Sequence, residues 1–341
     1  MPISITLPVW AYAYGSPAAT GKIKTLAADF IVEEILPFQP EGQGEHVFLQ
    51  IQKTGENTEY IARLLARVAE VRQRDIGFAG LKDRHAVTTQ WFSVWLPGKA
   101  DPDWSAAETE NIKILQALRH PRKLKRGVLS GNNFTITIRD FACDKEQTVA
   151  TLAAIKSQGF PNYFGEQRFG NNGQNINTAL ALFAGAKMKP EQRSIYLSAA
   201  RSYLFNLILS QRVNLQNWNQ AIAGDVCMIN QSNSYFKAEN IDSALRNRVA
   251  NAEIHPTACL YGKGGNAATQ NALEIENAVL ASNSQLTQGL INFAVDMDRR
   301  ALRTQAENLH WQFLDSNTLQ LSFFLSAGSY ATALLRELIG V

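Results

Sequence analysis

The sequence has little charge and few cysteines, and it lacks any long apolar run. Charged residues make up 18% of the 341 residues, whereas hydrophobic residues make up 45%. This balance argues against a disordered chain and favours a folded protein with a substantial core. No stretch of 18 apolar residues occurs, so we expect no transmembrane helix. The opening segment, MPISITLPVWAYAYG, lacks the basic start and long apolar centre of a signal peptide.

Metal-binding and disulfide patterns are also missing. The three cysteines, Cys143, Cys227 and Cys259, are widely spaced and form no CxxC pair. This spacing predicts neither a zinc ribbon nor a disulfide framework, and reduced thiols are typical of a cytoplasmic protein. The five histidines show no HExxH spacing, so we expect no metal site. The glycine-rich run 261–265 lacks the spacing of a phosphate-binding loop and is predicted to be a turn.

The net charge of +3 is too small to indicate nucleic-acid binding by itself, but the basic residues are unevenly distributed. Between Asn111 and Arg139 there are seven Lys or Arg residues and no acidic residue. Five of them are crowded together: Arg119, Arg122, Lys123, Lys125 and Arg126. Such a patch can neutralise several phosphates of a nucleic acid even when the whole protein is nearly neutral. A solvated charged loop is the alternative interpretation.

Apolar periodicity divides the chain into strand-rich ends and a different middle. Local patterns predict strands over 31–34, 47–53, 89–96, 134–141 and 319–325, and a short apolar run predicts another over 76–81. Helical spacing predicts helices after a cap at Asn57 or Thr58, over 148–155, over 198–214 and after a cap at Ser329. The Gly- and Asn-rich run 162–177 marks a change of texture, and 224–265 is expected to be mostly loop. A chain of this length favours two domains.

The run GLKDRHAVTTQWFSV, Gly80–Val94, is the most informative stretch of the chain. It is predicted to be the charged loop and second strand of a hairpin, with Asp83 set between Lys82 and Arg84. A loop held by two paired strands can present one side chain with little positional freedom. Asp83 could be a nucleophile, a general base, a metal ligand or a simple turn former.

This run resembles the signature of the TruD family of pseudouridine synthases, and other segments are similar to the same family in the same order. Before it come KTLAADFIVEE (24–34) and GEHVFLQIQKTGENT (44–58). After it come RHPRKLKRGVLSGNNF (119–134), NYFGEQRFGNNGQN (162–175), AEIHPT (252–257), DRRALR (298–303) and SAGSYATALLREL (326–338). The resemblance therefore spans nearly the whole chain.

The resemblance implies an α+β fold, in which a pseudouridine synthase core with a mixed or antiparallel sheet carries an inserted α/β domain specific to the family. We place the discontinuous catalytic domain at residues 1–157 and 305–341. The inserted domain is then expected at residues 158–304.

The resemblance also assigns roles to individual residues. Asp83 becomes the catalytic carboxylate. Side chains adjacent on extended backbone point in opposite directions, so we expect a cation from elsewhere in the chain to face Asp83, and the resemblance nominates Lys24. A surface lysine is the alternative interpretation of Lys24. Asn132 and Phe134, two residues apart on one strand, share a face, so Asn132 can hydrogen-bond the base or Asp83 while Phe134 stacks on a flipped base. The alternative for Phe134 is a core aromatic residue. Further substrate-binding candidates are Phe30 and Tyr330, the latter standing where the family usually has Phe.

Smaller roles follow for the remaining polar residues of these motifs. Arg122, Lys123, Lys125 and Arg126 are expected to contact the RNA backbone. His85 is interpreted as structural or RNA-facing. Glu166 and Arg168 are expected to organise the cleft or contact RNA rather than take part in bond chemistry.

The resemblance implies an isomerase that converts uridine 13 in the D arm of tRNA to pseudouridine. The reaction involves no redox or phosphate chemistry, so we expect no cofactor and no metal. The implied partner is tRNA, with no membrane and no obligatory protein partner, and the expected location is the cytoplasm. Two alternatives stay open: a non-catalytic RNA-binding protein of the same fold, and a pseudouridine synthase that acts on another RNA.

Overall fold

The computed structural model of the chain describes residues 5–232 and 234–340. Its strands are β1 (Thr20–Lys22), β2 (Phe30–Ile35), β3 (His46–Thr54), β4 (Ile76–Phe78), β5 (Val87–Trp95), β6 (Ile112–His120), β7 (Gly131–Ala142), β8 (Phe160–Pro161), β9 (Val226–Ile229), β10 (Tyr235–Lys237), β11 (Ile254–Leu260), β12 (Asp298–Ala301), β13 (Arg303–Thr304), β14 (Glu307–Phe313) and β15 (Leu319–Ser326). Its α-helices are α1 (Thr58–Val68), α2 (Lys145–Gln158), α3 (Gln174–Phe183), α4 (Pro190–Asn214), α5 (Ser243–Ala250), α6 (Gln270–Ala281), α7 (Ser284–Asn292) and α8 (Ala331–Leu335).

The chain forms two compact units, and each draws on separated parts of the sequence. One, here called the sheet unit, consists of Ala19–Cys143 and Glu307–Gly328. The other, here called the helix-rich unit, consists of the segment ending at Ala18, Asp144–Ala306 and the segment that begins at Ser329. The domain boundaries expected from the sequence concern the catalytic and inserted domains of the family, and they stay a prediction.

The sheet unit contains a mixed sheet that runs β14-β15-β7-β2-β5-β3-β6, with β1 added beside β7 and β4 beside β5. Only the β2–β5 pair is parallel among the described strands of this sheet, and the other pairs are antiparallel. Each strand predicted from the sequence overlaps one of the observed strands of this sheet. The α+β class with a mixed sheet is therefore confirmed.

Burial on both faces explains why the central strands have so few exposed residues. Helix α1 presents Ile61 and Leu65, both fully buried, to Leu49 and Phe92 on one face of the sheet. Fully burying such a side chain contributes about 1.5–3 kcal/mol relative to leaving it in water. On the other face Phe48 packs in a second cluster with Trp91, Leu124 and neighbouring apolar residues. Strand β5 is thus covered on both sides, which holds its N-terminal end and the loop before it in place.

The helix-rich unit corrects one expectation from the sequence. The segment 224–265 was predicted to be mostly loop, but it contains strands β9, β10 and β11 and helix α5. With β12 these strands form a sheet of order β10-β9-β11-β12. Strands β9 and β10 are short, and β11 lacks alternation because it is buried along nearly its whole length. A strand buried on both faces carries no period-2 pattern that could reveal it.

The helix caps also differ in detail from those predicted. Asn57 occupies the N-cap position of α1, but its side chain makes no capping hydrogen bond. Helix α8 begins at Ala331 with Tyr330 at the N-cap, so the prediction of a cap at Ser329 is wrong. The hydroxyl of Ser329 is instead hydrogen-bonded to that of Thr304, at 2.9 Å. The Ser329 side chain thus forms a hydrogen bond with a residue distant in sequence and does not cap the helix. Among the described residues, no helix is long and apolar enough to cross a membrane.

Candidate active site

The loop that carries Asp83 is fastened to the sheet unit just before the aspartate. Strands β4 and β5 pair antiparallel on either side of it, as the sequence predicted. The side-chain amide of Gln90 donates to the carbonyl oxygen of Gly80 at 2.7 Å, and the backbone N–H of Lys82 donates to the hydroxyl of Thr58 at 3.0 Å. Thr58 in turn donates to Gln90 at 2.9 Å, and both side chains are buried. These bonds fix the path of the backbone into Asp83.

Lys24, from the turn before β2, forms an ion pair with Asp83 across 59 positions of the chain. The contact joins Lys24 Nζ to Asp83 Oδ2, and both side chains are partly exposed. The other oxygen of Asp83, Oδ1, accepts the backbone N–H of His85 at 3.2 Å. A cation distant in sequence therefore faces Asp83, in the place for which the resemblance nominated Lys24.

These contacts decide the charge of Asp83. Partial burial alone would raise the pKa of Asp83, but the hydrogen bond and positive charge of Lys24 and the N–H of His85 outweigh it and lower that pKa. Asp83 is therefore a carboxylate at neutral pH. It stays accessible, because its side chain keeps 29% of its surface exposed. An ionised and accessible carboxylate can act as a nucleophile or a base.

Lys24 is held in an unusual way. Its φ of 58° lies in the left-handed region, which a residue other than glycine adopts uncommonly. Its ammonium also lies 4.4 Å from the centroid of the Phe30 ring. A cation over an aromatic face gains about 0.5–1 kcal/mol at exposed sites. Phe30 is itself buried, so in this structure it supports Lys24.

Phe134 lies in a small cluster of aromatic rings beside this pair. Its ring stacks on Phe323 of β15, with centroids 5.4 Å apart and planes 24° apart. Phe30 meets it edge-on at 6.2 Å. Phe30 and Phe323 are buried, whereas Phe134 is only half-buried. Phe134 is thus part of the core through its contacts with two rings, while part of its surface stays open to an incoming base.

Asn132 is engaged by a group that sequence reasoning missed. Its Oδ1 accepts a hydrogen bond from Lys82 Nζ at 2.7 Å, and the same ammonium lies 3.0 Å from Oε1 of Glu34. Glu34 is buried, and its Oε2 accepts the backbone N–H of Trp91 at 2.9 Å. Burial raises the pKa of Glu34, while Lys82 and the Trp91 N–H oppose that rise. Glu34 and Lys82 lie within segments that resemble the family, and nothing else in the sequence indicates that Lys82 contacts Glu34 and Asn132.

A second buried lysine lies near the site. Lys53 of β3 is 1% exposed, and its ammonium donates to the carbonyl oxygen of Glu56 at 2.7 Å. Burial lowers the pKa of Lys53 to about 8, with Asp83 and Glu34 acting in the opposite direction. Lys53 was not among the candidates, because a lysine at an alternating strand position gives no sign of its burial.

Tyr330 belongs to the helix-rich unit, and its surroundings there are well defined. Its hydroxyl accepts a hydrogen bond from Arg168 Nη2 at 2.7 Å, and its ring lies 6.0 Å from that of Phe164. Arg168 also donates to the hydroxyl of Ser198 at 2.9 Å. The hydroxyl that distinguishes this residue from the usual Phe therefore has a partner within its own unit. Glu166 lies in the same short 3-10 helix as Arg168.

The four cations expected to contact RNA differ in their exposure and in the contacts that they already make. Arg122, Lys125 and Arg126 are exposed, and the guanidinium of Arg126 lies 5.0 Å from the ring centroid of Phe78. Lys123 is half-buried, and its ammonium donates to the carbonyl oxygen of Arg74 at 2.5 Å. Lys123, Lys125 and Arg126 line an open pocket of about 340 Å³. Arg119 is engaged elsewhere, with the carbonyl oxygens of Gly44, Leu96 and Lys99.

The site as described is made from protein side chains. Residues 5–232 and 234–340 contain no group of three His, Cys, Asp or Glu side chains that could hold a metal ion. His85 is exposed and contacts Asp83 through its backbone N–H. The sheet unit thus combines an ionised carboxylate, a facing cation, a half-open aromatic ring and an oriented amide. Such a set suits the chemistry of an uncharged planar ring better than that of a phosphate.

Comparisons with known proteins agree with this interpretation. Residues 7–180 and 177–338 match the family model described as tRNA pseudouridine synthase D (TruD). The chain is 47% identical over 329 residues to the tRNA pseudouridine synthase D of Methylococcus capsulatus, covering 96% of this chain and 93% of that protein. It is 48% identical over 330 residues to the protein of the same name from Aeromonas salmonicida, with the same coverage.

The fold has a relative among solved structures as well. A crystal structure from Methanosarcina mazei, named as a putative tRNA pseudouridine synthase D, superposes with a TM-score of 0.71 at 24% identity. The match covers 100% of this chain and 97% of that one. The fold and the matched family model define a pseudouridine synthase. This chain belongs to the TruD family, so the resemblance found in the sequence is confirmed.

Proposed function

We propose that this protein is a tRNA pseudouridine synthase that isomerises uridine 13 in the D arm of tRNA to pseudouridine. The observation that carries the proposal is the ion pair of Lys24 with Asp83 at a partly exposed site in a chain of the TruD family. Relatives that cover nearly the whole chain carry the name tRNA pseudouridine synthase D. The position of the uridine rests on the family resemblance.

Asp83 is proposed as the catalytic group. The reaction breaks the bond between C1′ of the ribose and N1 of uracil and forms a bond between C1′ and C5, so it is an isomerisation with no net gain or loss of atoms. A carboxylate can attack as a nucleophile or remove a proton as a base, and either role requires its ionised form. Lys24 supports this by keeping the pKa of Asp83 low.

The target base lies in a folded RNA and must leave its stack to reach Asp83. We assign the stacking surface to Phe134, whose half-buried ring is fixed by Phe323 and Phe30. Stacking on an aromatic ring contributes about 1–3 kcal/mol per base. Asn132, two residues before Phe134 on the same strand, is assigned to the polar edge of the base. Tyr330 remains a proposed substrate contact on the basis of the resemblance.

The wider tRNA is proposed to be held by the exposed cations Arg122, Lys125 and Arg126, with a smaller part for Lys123. We place the catalytic domain at residues 1–157 and 305–341 and the inserted domain at 158–304. The enzyme is proposed to act in the cytoplasm, without a cofactor and without an obligatory protein partner.

The alternatives differ in what they require of the site. A protein that only binds RNA needs the cationic surface but not Asp83, Asn132 and Phe134 together. The presence of all three in the sheet unit, with Asp83 paired to Lys24, supports the enzyme. A pseudouridine synthase acting on another RNA would use the same site.

Pseudouridine mapping of total tRNA and of the remaining cellular RNA decides among these functions. The RNA comes from cells that lack the protein and from the same cells supplied with the wild-type chain or with Asp83→Asn. We expect pseudouridine at position 13 only with the wild-type chain. Pseudouridine that appears at another site, or in another RNA, would replace the proposed substrate. Its absence in every RNA fraction would favour the RNA-binding protein.

A further inference from the structure

Two polar side chains from separate strands contact the ammonium of Lys82, which lies in the loop between β4 and β5. Its Nζ lies 2.7 Å from Oδ1 of Asn132 on β7 and 3.0 Å from Oε1 of Glu34 on β2. Glu34 and Asn132 are directly opposite each other on these antiparallel strands, so their side chains are neighbours. The Glu34 side chain is fully buried and that of Lys82 is 11% exposed.

The chemistry of lysine determines which way the Asn132 amide points. An ammonium has three donors and no acceptor, so only the oxygen of the amide can face it. The NH₂ group of Asn132 then points away from Lys82. In the part of the chain that the structure describes, this NH₂ group donates to no protein atom, so it is available to a ligand.

Glu34 is in turn fixed by the backbone. Its Oε2 accepts the N–H of Trp91 on β5 at 2.9 Å, which leaves Oε1 for Lys82. A buried carboxylate and a nearly buried ammonium each require the other, because an unpaired charge is costly to hold away from water. The Trp91 N–H, Glu34, Lys82 and Asn132 are therefore linked in one row by two hydrogen bonds and, between Glu34 and Lys82, an ion pair.

We propose that Lys82 and Glu34 are positioning residues that orient the Asn132 amide so that its NH₂ group donates to a carbonyl oxygen of the base held at Asp83. The inference rests on the proposed function and extends it to the recognition of the substrate. Both carbonyl oxygens of uracil can accept such a bond, whereas cytosine carries at C4 an amino group that cannot accept it. Lys82 acts here through Asn132 and not on the reacting bond.

The arrangement predicts the effect of removing Lys82 alone. Removing Lys82 raises the pKa of Glu34 further, and a protonated Glu34 would donate to Oδ1 of Asn132 as Lys82 does, so the rates are measured above neutral pH. In Lys82→Met with Glu34 ionised, the carboxylate of Glu34 accepts the NH₂ group of Asn132, which turns the amide away from the base. The substrate then loses one hydrogen bond at the chemical step. We expect the single-turnover rate to fall about 10–100-fold, with the dissociation constant for tRNA changed less than about threefold.

A second substitution should restore the orientation without restoring the charge. In Lys82→Met/Glu34→Gln the Trp91 N–H still requires an acceptor, so the amide oxygen of the introduced glutamine takes the place of Oε2. The NH₂ group of that glutamine then replaces Oε1 and donates to Oδ1 of Asn132, as Lys82 does in the wild-type chain. We expect a rate within about threefold of the wild-type rate.

The matched control is Lys82→Met/Glu34→Leu, which removes the carboxylate but supplies no donor. In this variant the Asn132 amide has no preferred orientation. Its rate should therefore lie between those of Lys82→Met and the glutamine double variant. A glutamine double variant no faster than Lys82→Met would overturn the proposal, because Lys82 would then act through its own charge. A fully active Lys82→Met would overturn it as well.

The donor itself is tested by Asn132→Asp, which can still accept from Lys82 but has no NH₂ group. We expect a slow rate with tRNA binding and the melting temperature retained; a fast rate would show that no donor is needed. Thermal melting of every variant gives the folded fraction by which rates are divided, so a folding defect does not imitate a loss of orientation. A wild-type chain inactive on tRNA contradicts the proposed function, whereas an active chain without rescue contradicts only this inference.

Discussion

Lys24 approaches Asp83 while its ammonium also lies over the face of the buried Phe30 ring, 4.4 Å from the ring centroid. Phe30 contacts Phe134 as well, at 6.2 Å between ring centroids. One aromatic residue thus contacts both the cation that pairs with Asp83 and the proposed stacking surface. The charged and the aromatic halves of the site are therefore expected to respond together when Phe30 is altered.

Asp83→Asn should abolish turnover and leave tRNA binding nearly intact. The amide keeps the shape of the carboxylate, but it can neither attack as an anion nor remove a proton at neutral pH. Single-turnover conversion of tRNA, with binding measured in parallel, checks this. Retention of even a few per cent of the wild-type rate by the pure variant would exclude the catalytic role.

Lys24→Met should shift the acidic limb of the pH–rate profile to higher pH. Lys24 lowers the pKa of Asp83 against the effect of burial, so its removal raises that pKa and leaves less carboxylate at mildly acidic pH. The loss of rate should therefore be larger at pH 5 than at pH 8. Lys22→Met is the control, since Lys22 forms an exposed ion pair with Asp140 and not with Asp83. Equal losses at both pH values would contradict this role for Lys24.

Replacing Arg122, Lys125 and Arg126 together with Gln should weaken tRNA binding and flatten its dependence on salt. The log–log slope should fall by roughly 0.7–0.9 for each phosphate that the variant no longer neutralises. Lys123→Gln should change the slope less, because the Lys123 ammonium already donates to the Arg74 carbonyl oxygen. The rate at saturating tRNA should change less than the affinity. An unchanged slope in the triple variant would assign these cations to a solvated surface.

Phe134→Ala should slow single-turnover conversion more than it weakens tRNA binding, because the flipped base loses its stacking partner. It should also lower the melting temperature, since its ring packs on Phe323 and Phe30. Phe134→Leu should be intermediate in rate. Phe48→Leu, in the fully buried core of the same sheet unit, is the control for melting without a change in rate. Normal turnover per folded Phe134→Ala molecule would assign Phe134 to the core alone.

Lys53→Met should remove a pH dependence of stability on the alkaline side. Burial lowers the pKa of Lys53 to about 8, below its value in an unfolded chain, which is about 10.4. Between these values the unfolded state binds more protons, so the free energy of unfolding contributed by Lys53 rises with pH. Denaturant unfolding at pH 7.5 and pH 9.5 measures it. A similar rise in wild-type and variant would show that Lys53 is not the source.

The Asp83 hairpin was predictable because both its strands carry local patterns and its loop lies in a distinctive motif. The partner of Asp83 was open to prediction only in part. Adjacent side chains on extended backbone point in opposite directions, which disfavours Lys82 and Arg84 as partners, but the choice of Lys24 came from the family resemblance. Nothing in the spacing indicates that a residue 59 positions away, with φ of 58°, approaches the carboxylate.

The contacts among Glu34, Lys82 and Asn132 could not be predicted from the sequence, for a different reason. Its geometry depends on the register of β2 against β7, where Glu34 is opposite Asn132. A register shift by one residue would turn Glu34 to the other face of the sheet. The register is set by tertiary packing, so local patterns could not supply it. The sheet in 224–265 was missed because buried strands lack alternation.

The position of β15 in the sheet has a consequence for synthesis of the protein on the ribosome. Strand β15 lies between β14 and β7, and its Phe323 stacks on Phe134. Residues 319–326 are synthesised long after β7. Until then β7 has one open edge, and Phe134 lacks the ring beneath it. In a nascent chain the proposed stacking surface is therefore incomplete until β15 has been made and has paired with β7.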